Sequence, residues 1–505
     1  MKVENDILIL MNDFSEKLIG VQVSAIQRAK MLYEFVTPNI EILTTKFNKK
    51  FLEYSYYHMH RYGLNNEIKA RNLYFDILAI KDSNFKGSVT IKSCYYHYSE
   101  KVSSLHEKYY DNRNNLKMYV VYSNNKYDEA QRINYINYFN NKKKFRRDHF
   151  IDNGLRVLSQ ILDDNANIDR EEYFDQKGVV RIIKNYKNKK LLNIYIYDGF
   201  GLIQKICSNE TELITWWLEN YIVKEKSIFI VDGGPHHIVP LKFIKDIKII
   251  SVLHSNHIRF GEDVLTGSFN SFQRKKLLET NDSVHACVIL TDEQKLDIEI
   301  RLKSHCPLYS IPHPVLVQPQ KNDLVSRDIN KLIIISRLEL EKNIYEAINI
   351  FKLVVKIMPE KKLYIYGDGS EKNSLIKYVE ENNLSNNIFF EGYTNDISEV
   401  LNSTTLFLMT SLYESFGLSI SESLSHGVPV LSYDFKYGPR TLIKHNKNGF
   451  LIKNKDTNSA ARTIIQYYEN LNVMESMVSQ AYDSTIWLSS ENVSKMWIQL
   501  FKSLD

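Results

Sequence analysis

A chain of 505 residues, 44% of them hydrophobic and 25% charged, is too long for one ordinary core and too apolar to be globally disordered. Its formal net charge of +5 is modest, and residues 51–200 carry the surplus, with 25 Lys and Arg against 18 Asp and Glu. The four cysteines are far apart and no apolar run reaches the length of a membrane span, so we expect a cytoplasmic protein with at most peripheral contact to the inner face of the cell membrane.

The first elements predict the opening unit of an open α/β sheet. Residues 6–11 resemble a buried parallel strand, a loop containing Gly20 follows, and the apolar pattern of residues 21–33 predicts a helix. From about residue 50 to residue 210 this alternation stops. Turn sequences at residues 173–178 and 195–201 precede β-rich runs and predict an antiparallel meander. We interpret residues 49–210 as a β-rich module inserted into the first domain.

The α/β alternation then resumes and ends in a second series. A helix is predicted at residues 212–222, and strands at residues 227–232, 247–253 and 286–291. The sequence IPHPV at residues 311–315 breaks the pattern, and the polar stretch 318–330 is typical of a linker. Strands at residues 331–335, 363–366, 388–390, 405–409 and 428–433 predict a second parallel sheet. We therefore predict a first domain of residues 1–48 and 211–316, a second of residues 317–484, and a helix in residues 485–505 that packs back onto the first domain.

Two glutamates eight positions apart are the strongest candidates for ligand binding. Glu414 and Glu422 lie in ESFGLSISE, which follows an apolar strand and opens a predicted helix at residues 416–425. The backbone amides near Gly417 and Leu418 would then lie at a helix N-terminus, which favours phosphate. Glu414 could bind sugar hydroxyls and Glu422 the hydroxyls of a ribose, although two carboxylates at this spacing also occur on ordinary solvated helices.

Two cations follow the first strand of the second series. Arg337 and Lys342 lie where open parallel sheets bind ligands, and they could neutralise a departing diphosphate without a metal. The alternative is a pair of surface charges bonded to Glu339 and Glu341. Two turns, GDG at residues 367–369 and EGYT at residues 391–394, follow later strands and could contribute backbone contacts to a base.

The order and spacing of these motifs resemble the donor-binding half of the retaining glycosyltransferases of family four, which have the GT-B fold. The match extends over residues 331–455 and includes GVPV at residues 427–430. The resemblance implies two doubly wound Rossmann-like domains, and a diphosphate held by Arg337 and Lys342. It implies that Glu414 contacts the donor hexose and that Glu422 binds the ribose. The remaining predicted contacts to substrate come from the same loops: Tyr393, Thr394, Ser415, Phe416, Gly417 and Leu418.

The first domain matches that family more loosely. His254 ends a predicted strand where the family places an active-site histidine, although His236, His237 and His257 are also close to strand ends. The family's N-terminal loop has paired glycines, and here Gly20 stands alone. A β-rich insertion on this core resembles that of the bacterial wall teichoic acid α-glycosyltransferases, and also that of enzymes that modify serine-rich adhesins with N-acetylglucosamine.

The resemblance implies transfer of glucose or N-acetylglucosamine from a UDP-sugar to a hydroxyl of a cell-wall polymer such as wall teichoic acid. We expect no metal and no cofactor besides the donor, no nucleic acid, a polyanionic or protein acceptor bound by the insertion, and self-association through it. Four alternatives stay open: a glycosyltransferase acting on a serine-rich surface protein, a non-catalytic GT-B acceptor-binding subunit, a UDP-sugar epimerase, and a nucleic-acid-binding protein that uses the basic run at residues 142–147.

Overall fold

A computed structural model of the chain describes residues 5–64, 67–81, 96–123, 132–152, 154–279, 284–302, 306–316, 324–394 and 396–504. By its backbone contacts the chain divides into two compact units. We call Asn5–Ala29 with Pro38–Ile247 the N-terminal unit, and Lys30–Thr37 with Lys248–Asp505 the C-terminal unit. Cys94 and residues 318–323 of the predicted linker lie outside the described residues.

The N-terminal unit contains a parallel sheet with helices. Its strands are β1 (Ile7–Met11), β2 (Ile40–Thr44), β3 (Lys69–Asn72) and β14 (Ile228–Val231), in the order β14-β1-β2-β3. Its helices are α1 (Gly20–Phe35, whose last turns belong to the other unit), α2 (Phe51–Arg61), α3 (Leu73–Ile77), α4 (Glu210–Trp217) and α5 (Ile238–Leu241). All five residues of β1 are buried, as expected of a central parallel strand.

The same unit carries a ten-stranded antiparallel meander in which each strand pairs with the next along the chain. Its strands are β4 (Tyr98–Ser103), β5 (His106–Tyr110), β6 (Leu116–Ser123), β7 (Arg132–Asn140), β8 (Lys143–Phe150), β9 (Arg156–Leu162), β10 (Ile168–Phe174), β11 (Val180–Lys187), β12 (Lys190–Tyr197) and β13 (Ile203–Cys207). Lys184, only 3% exposed, bonds the hydroxyl of Tyr74 in α3 at 2.6 Å and pairs with Glu210 in α4. The meander is therefore fastened to the helices of its own unit by a buried charge.

The C-terminal unit contains two groups of parallel strands. The first group is β15 (Lys248–Leu253), β16 (Ala286–Ile289) and β17 (Leu308–Ser310). The second is a sheet in the order β20-β19-β18-β21-β22-β23, made of β18 (Lys331–Ile335), β19 (Lys362–Tyr366), β20 (Ile388–Gly392), β21 (Leu406–Met409), β22 (Val430–Tyr433) and β23 (Gly449–Ile452). The helices are α6 (Phe272–Glu279), α7 (Asp292–Arg301), α8 (Ile344–Ile357), α9 (Lys372–Glu381), α10 (Ile397–Asn402), α11 (Leu418–Ser425), α12 (Gly438–Leu442), α13 (Thr457–Glu469), α14 (Leu471–Asp483) and α15 (Ser490–Lys502).

The structure confirms the predicted meander and the strands of the second series, but the α/β alternation does not stop at residue 50. Helix α2 and strand β3 follow that position, and β3 pairs in parallel with β2. The sequence Lys-Ala-Arg-Asn of β3 has no apolar run because this strand lies at the edge of its sheet. The domain limits given above stay predictions.

The C-terminal helix is present with the apolar stripe that the sequence predicts. Val493, Trp497, Leu500 and Phe501 of α15 are all buried. Just after the end of α15, the Ser503 hydroxyl lies 2.7 Å from that of Tyr309 in β17. The packing of this helix onto the first domain stays a prediction. Among the described residues, no helix has the length and apolar character needed to cross a membrane.

Candidate active site

Two predicted motifs meet at the carboxyl edge of the six-stranded sheet. Strands β18 and β21 are parallel neighbours, although their residues are more than 70 positions apart in sequence. The loops that follow them are hydrogen-bonded together: the Leu412 amide donates to the Glu341 carbonyl at 2.9 Å, and the Thr410 hydroxyl donates to the Asn343 carbonyl at 3.0 Å. The segment with Arg337 and Lys342 therefore lies against the segment with Glu414.

Lys342 and Glu414 form a direct ion pair at this edge. The two side chains are 13% and 20% exposed, and the Ser411 hydroxyl lies 3.4 Å from the same carboxylate oxygen. A lysine ammonium has three N–H donors, so it can keep this carboxylate and still donate to a second anion. Two of the residues predicted from separate motifs thus share one location.

Arg337 lies further out on the same loop. Its guanidinium is 61% exposed and lies 2.8 Å from the Glu341 carboxylate. Glu339, the other acid considered as its partner, instead accepts from the Ser370 hydroxyl at 2.7 Å. An exposed pair of this kind contributes little to stability, so Arg337 can change partners at small cost.

The GDG turn supports the loop that carries Arg337. A Cβ on Gly367 would lie 1.8 Å from the Ser336 carbonyl oxygen, and a Cβ on Gly369 would lie 2.3 Å from the Leu338 carbonyl oxygen. The Leu338 amide donates to the Asp368 carbonyl at 3.0 Å. Both glycines are thus required by close approach of backbone to backbone.

Helix α11 begins at Leu418, two residues later than predicted, because Gly417 adopts a left-handed conformation with φ of 85°. A Cβ on Gly417 would lie 2.9 Å from Cδ1 of Ile420. The amides of Ile420 and Ser421 bond to the Gly417 carbonyl, which leaves the earlier amides at the helix start, where an anion is favoured. Glu422 lies one turn further in and is partly buried, and its carbonyl accepts from Nδ1 of His426 at 2.8 Å.

The EGYT motif contains the last two residues of β20 and the two residues that follow them at the same carboxyl edge. The Gly367 amide donates to the Gly392 carbonyl at 2.7 Å, which joins this turn to the GDG turn. Tyr393 is 36% exposed, and the hydroxyl of Thr394 accepts from the Asp396 amide at 3.1 Å. These residues can offer backbone and ring contacts to a flat ligand.

His254 directly follows β15 in the same unit and is partly buried. The hydroxyl of Ser415 donates to its carbonyl oxygen at 2.5 Å. Its ring is stacked on His313 with centroids 5.3 Å apart and planes 11° apart, and Phe416 meets His313 edge-on at 5.4 Å. His313 is a residue that sequence reasoning missed, since IPHPV indicated only a break in the pattern.

The other candidate histidines have different surroundings. His257 is fully buried beside the Val264 carbonyl, and burial lowers its pKa to about 4. In the N-terminal unit, burial lowers the pKa of His237 to about 4 as well. Gly20 is the exposed first residue of α1 in that unit, and the preceding loop is held by the Gln22 side chain, which donates to the Asp13 carbonyl at 2.6 Å. The roles of all predicted site residues stay predictions.

Within the described ranges, no three His, Cys, Asp or Glu residues are grouped so that they could hold a metal ion. The expectation of a metal-independent reaction stays a prediction.

Comparison with known proteins identifies relatives over most of the chain. The family described as glycosyl transferases group 1 matches residues 318–484. The chain is 29% identical to the poly(glycerol-phosphate) α-glucosyltransferase of Bacillus subtilis over 76% of its length, and spans 58% of that relative. It is 30% identical to the poly(ribitol-phosphate) α-N-acetylglucosaminyltransferase of Staphylococcus aureus, with 73% of each chain covered.

A crystal structure of a point mutant of S. aureus TarM in complex with fondaparinux, α-GlcNAc-glycerol and UDP superposes with a TM-score of 0.84 and 26% identity, covering 98% of this chain and 99% of that chain. The predicted GT-B fold and the predicted resemblance are thereby confirmed. The chain belongs to the family of the S. aureus poly(ribitol-phosphate) α-N-acetylglucosaminyltransferase, and its residues 318–484 match the glycosyl transferases group 1 model.

Proposed function

We propose that the protein transfers glucose or N-acetylglucosamine from a UDP-sugar to a hydroxyl of a polyanionic cell-wall polymer such as wall teichoic acid, with the α configuration retained. The observation that carries this proposal is the Lys342–Glu414 pair at the carboxyl edge of the six-stranded sheet. It joins a cation suited to a diphosphate and a carboxylate suited to sugar hydroxyls at one point. The names of two relatives pair a poly(glycerol-phosphate) with glucose and a poly(ribitol-phosphate) with N-acetylglucosamine, and the crystallised TarM is in complex with UDP, which supports the same assignment.

In the proposed reaction, the bond between the sugar C1 and the diphosphate oxygen breaks, and its electron pair leaves with UDP. Arg337, Lys342 and the first amides of α11 would stabilise the negative charge that grows on the diphosphate. The acceptor hydroxyl then bonds C1 on the face that UDP left, and its proton passes to the departing phosphate oxygen. Because attack occurs on that face through an oxocarbenium-like state, no protein nucleophile is required.

The donor would be held by residues that surround this edge. We assign Glu414 to the hexose, Glu422 to the ribose, and the turn with Tyr393 and Thr394 to the base. His254 presents an imidazole that can donate to or accept from a sugar hydroxyl. The protein would act in the cytoplasm, where nucleotide sugars are available, in contact with the inner face of the membrane.

The acceptor would be bound by the meander. Its β7–β8 hairpin presents Lys143, which is exposed and 3.7 Å from the exposed Asp164 carboxylate, and Arg147, which is partly exposed and donates to the Asn137 side chain at 2.7 Å. Arg146 is bonded to Asp148 at 2.7 Å. A basic surface on an otherwise nearly neutral enzyme attracts a polyanion. Self-association would also use the meander.

The test is UDP release by the purified protein with a panel of donors and acceptors. UDP-glucose and UDP-N-acetylglucosamine are each combined with glycerol-phosphate polymer, ribitol-phosphate polymer or a serine-rich peptide. We expect UDP release that requires one of the two polymers. Release only with the peptide would contradict the polymer assignment, and conversion of the free UDP-sugar without any acceptor would indicate an epimerase.

The variant Glu414→Gln keeps the size of the side chain and removes its charge. We expect it to lose transfer while its melting temperature stays near that of the wild type, because Glu414 is partly exposed. Unchanged turnover would remove Glu414 from the proposed donor site.

A further inference from the structure

The ring of His254 is one layer of an aromatic stack inside the C-terminal unit. His313 lies parallel to it, and Phe416 closes the far side of His313 with its ring plane at 87°. His313 and Phe416 are each 2% exposed, whereas His254 is partly exposed. Two buried rings thus pack in sequence against the ring of a partly exposed histidine.

The loop after Glu414 reaches His254 by two routes. Ser415 bonds the backbone carbonyl of His254, and Phe416 contacts it through His313. The loop is also held from its other side. The Tyr437 amide donates to the Glu414 carbonyl at 3.0 Å, and a Cβ on Gly438 would lie 1.9 Å from the Phe416 carbonyl oxygen. A shift of this loop is therefore transmitted to the His254 ring.

We propose that His313, together with Ser415 and Phe416, is a positioning residue that keeps the His254 imidazole aligned with the donor-binding loop. The proposal rests on the proposed function, since alignment matters only if the donor is bound there. Without the flat ring of His313, the His254 side chain can occupy other rotamers, and a small misplacement of a reacting group lowers turnover strongly. In the proposed function, donor affinity depends on Lys342, Glu414 and the amides of α11, whereas the ring of His313 contacts the rings of His254 and Phe416.

The first test compares His313→Ala with His313→Phe in steady-state transfer. The alanine variant removes the ring, and the phenylalanine variant keeps a flat ring against both His254 and Phe416. We expect kcat of the alanine variant to fall by about tenfold or more while KM for the UDP-sugar changes by less than about twofold, and the phenylalanine variant to recover most of kcat. His445→Ala, which removes an exposed histidine in edge contact with Phe450, is the matched control and keeps the wild-type kcat.

A second measurement does not depend on turnover. In a 13C-labelled histidine spectrum, the Cε1–H signal of His254, assigned with His254→Gln, reports the stacked ring through its ring-current shift. We expect His313→Ala to move this signal toward that of an unstacked histidine and His313→Phe to keep it shifted. Ser415→Ala, which removes one hydroxyl and leaves the ring stack in place, should lower kcat by a smaller factor of about three, as the loss of one hydrogen bond of modest strength predicts.

Two results would overturn the positioning role. The first is an unchanged kcat in His313→Ala. The second is a kcat of His313→Phe as low as that of His313→Ala, together with an active His313→Gln variant. The second result would indicate a hydrogen-bonding role instead of stacking. If the wild type transfers no sugar from any donor, the proposed function fails. The ring-current measurement still decides whether His313 holds the His254 ring.

Discussion

Lys342 and Glu414 form an ion pair, so each neutralises the charge of the other and holds its side chain in place at the edge of the sheet. Most of this arrangement could not be predicted from sequence. The two motifs were recognisable separately, by a cation after one strand and a glutamate before a helix. Their contact depends on β18 and β21 being neighbours in the sheet, which neither local pattern encodes.

We expect a double-mutant cycle to show that this pair acts as one unit. Lys342→Met and Glu414→Gln should each lower kcat/KM by about 10²-fold or more, and the double variant should be little worse than either single variant, because groups that act together are not additive. The matched control is the exposed pair of Lys495 and Glu491, with a separation of 2.8 Å, whose variants should keep full activity. Additive losses in the first cycle would show that the two side chains act independently.

Gly417 allows a second prediction about a single residue. Its left-handed φ and the nearby Ile420 side chain both oppose a Cβ. Gly178 has a similar φ of 79°, and no atom lies within 4 Å of the position that a Cβ would occupy there. An alanine at Gly178 therefore measures the free energy of the left-handed backbone alone, without a steric clash.

Gly178→Ala should lower the free energy of unfolding by about 1 kcal/mol, and Gly417→Ala should lower it further and weaken UDP binding. Urea unfolding and UDP titration measure the two effects. Equal destabilisation by both variants, with UDP affinity unchanged in each, would exclude a special role for the Gly417 turn.

At the scale of elements, continuous apolar runs could be predicted and polar strands could not. Strand β18, with the sequence Lys-Leu-Ile-Ile-Ile, is recognisable because three of its central residues are buried on both faces of a parallel sheet. Strand β4 is exposed at all six positions, and β3 is polar at the edge of its sheet, so neither has a pattern that distinguishes it from a loop. Likewise, the packing of His313 on His254 needs two elements that are 59 positions apart and has no local signal.

Lys49 connects the segment before α2 to the first residues of β7, since its ammonium bonds the side chain and the carbonyl of Asn134. Burial is the largest influence on this lysine and lowers its pKa from 10.5 to about 8. Between pH 8 and 10.5 the unfolded chain therefore binds a proton that the folded chain has released. The contribution of Lys49 to the free energy of unfolding therefore rises with pH between pH 8 and 10.5, and this gain is lost as the pH falls back to 8.

We expect Lys49→Met to abolish this part of the pH dependence. The free energy of unfolding, measured from pH 7.5 to 10.5 in urea, should rise less steeply with pH in the variant than in the wild type. Lys187→Met, at an exposed position of β11, should leave the slope as it is. An identical slope in Lys49→Met and the wild type would show that Lys49 is not desolvated.

At the scale of the whole molecule, the charge is unevenly distributed along the chain. The excess of cations in residues 51–200 lies on a different part of the chain from the residues proposed to bind the donor. Lys142 and Lys143 at the β7–β8 turn are exposed, so they can be changed with little effect on the fold.

Reversing both charges, with Lys142→Glu and Lys143→Glu, should raise KM for a polyanionic acceptor severalfold and leave KM for the UDP-sugar unchanged. The effect should shrink at high salt, since exposed charges are screened. Lys495→Glu with Lys502→Glu in α15 changes the net charge equally and serves as control. If both double variants raise the acceptor KM alike, the net charge matters and the meander has no special part.

Strand β1 obtains its two partners at very different times. Ile7 is paired with Ile40 and with Ile228, so a ribosome that has released β2 must still add almost two hundred residues before β14 exists. At a synthesis rate of about 5–20 residues per second, the edge of β1 that later pairs with β14 stays unpaired for on the order of ten seconds or more. The meander strands are synthesised during this interval. Each of them pairs with the strand that precedes it in the chain, so a nascent chain can form these pairs from local contacts. Slower translation between β2 and β14, or removal of a chaperone that binds nascent chains, should therefore cause misfolding of the N-terminal unit first, through aggregation at β1 during synthesis.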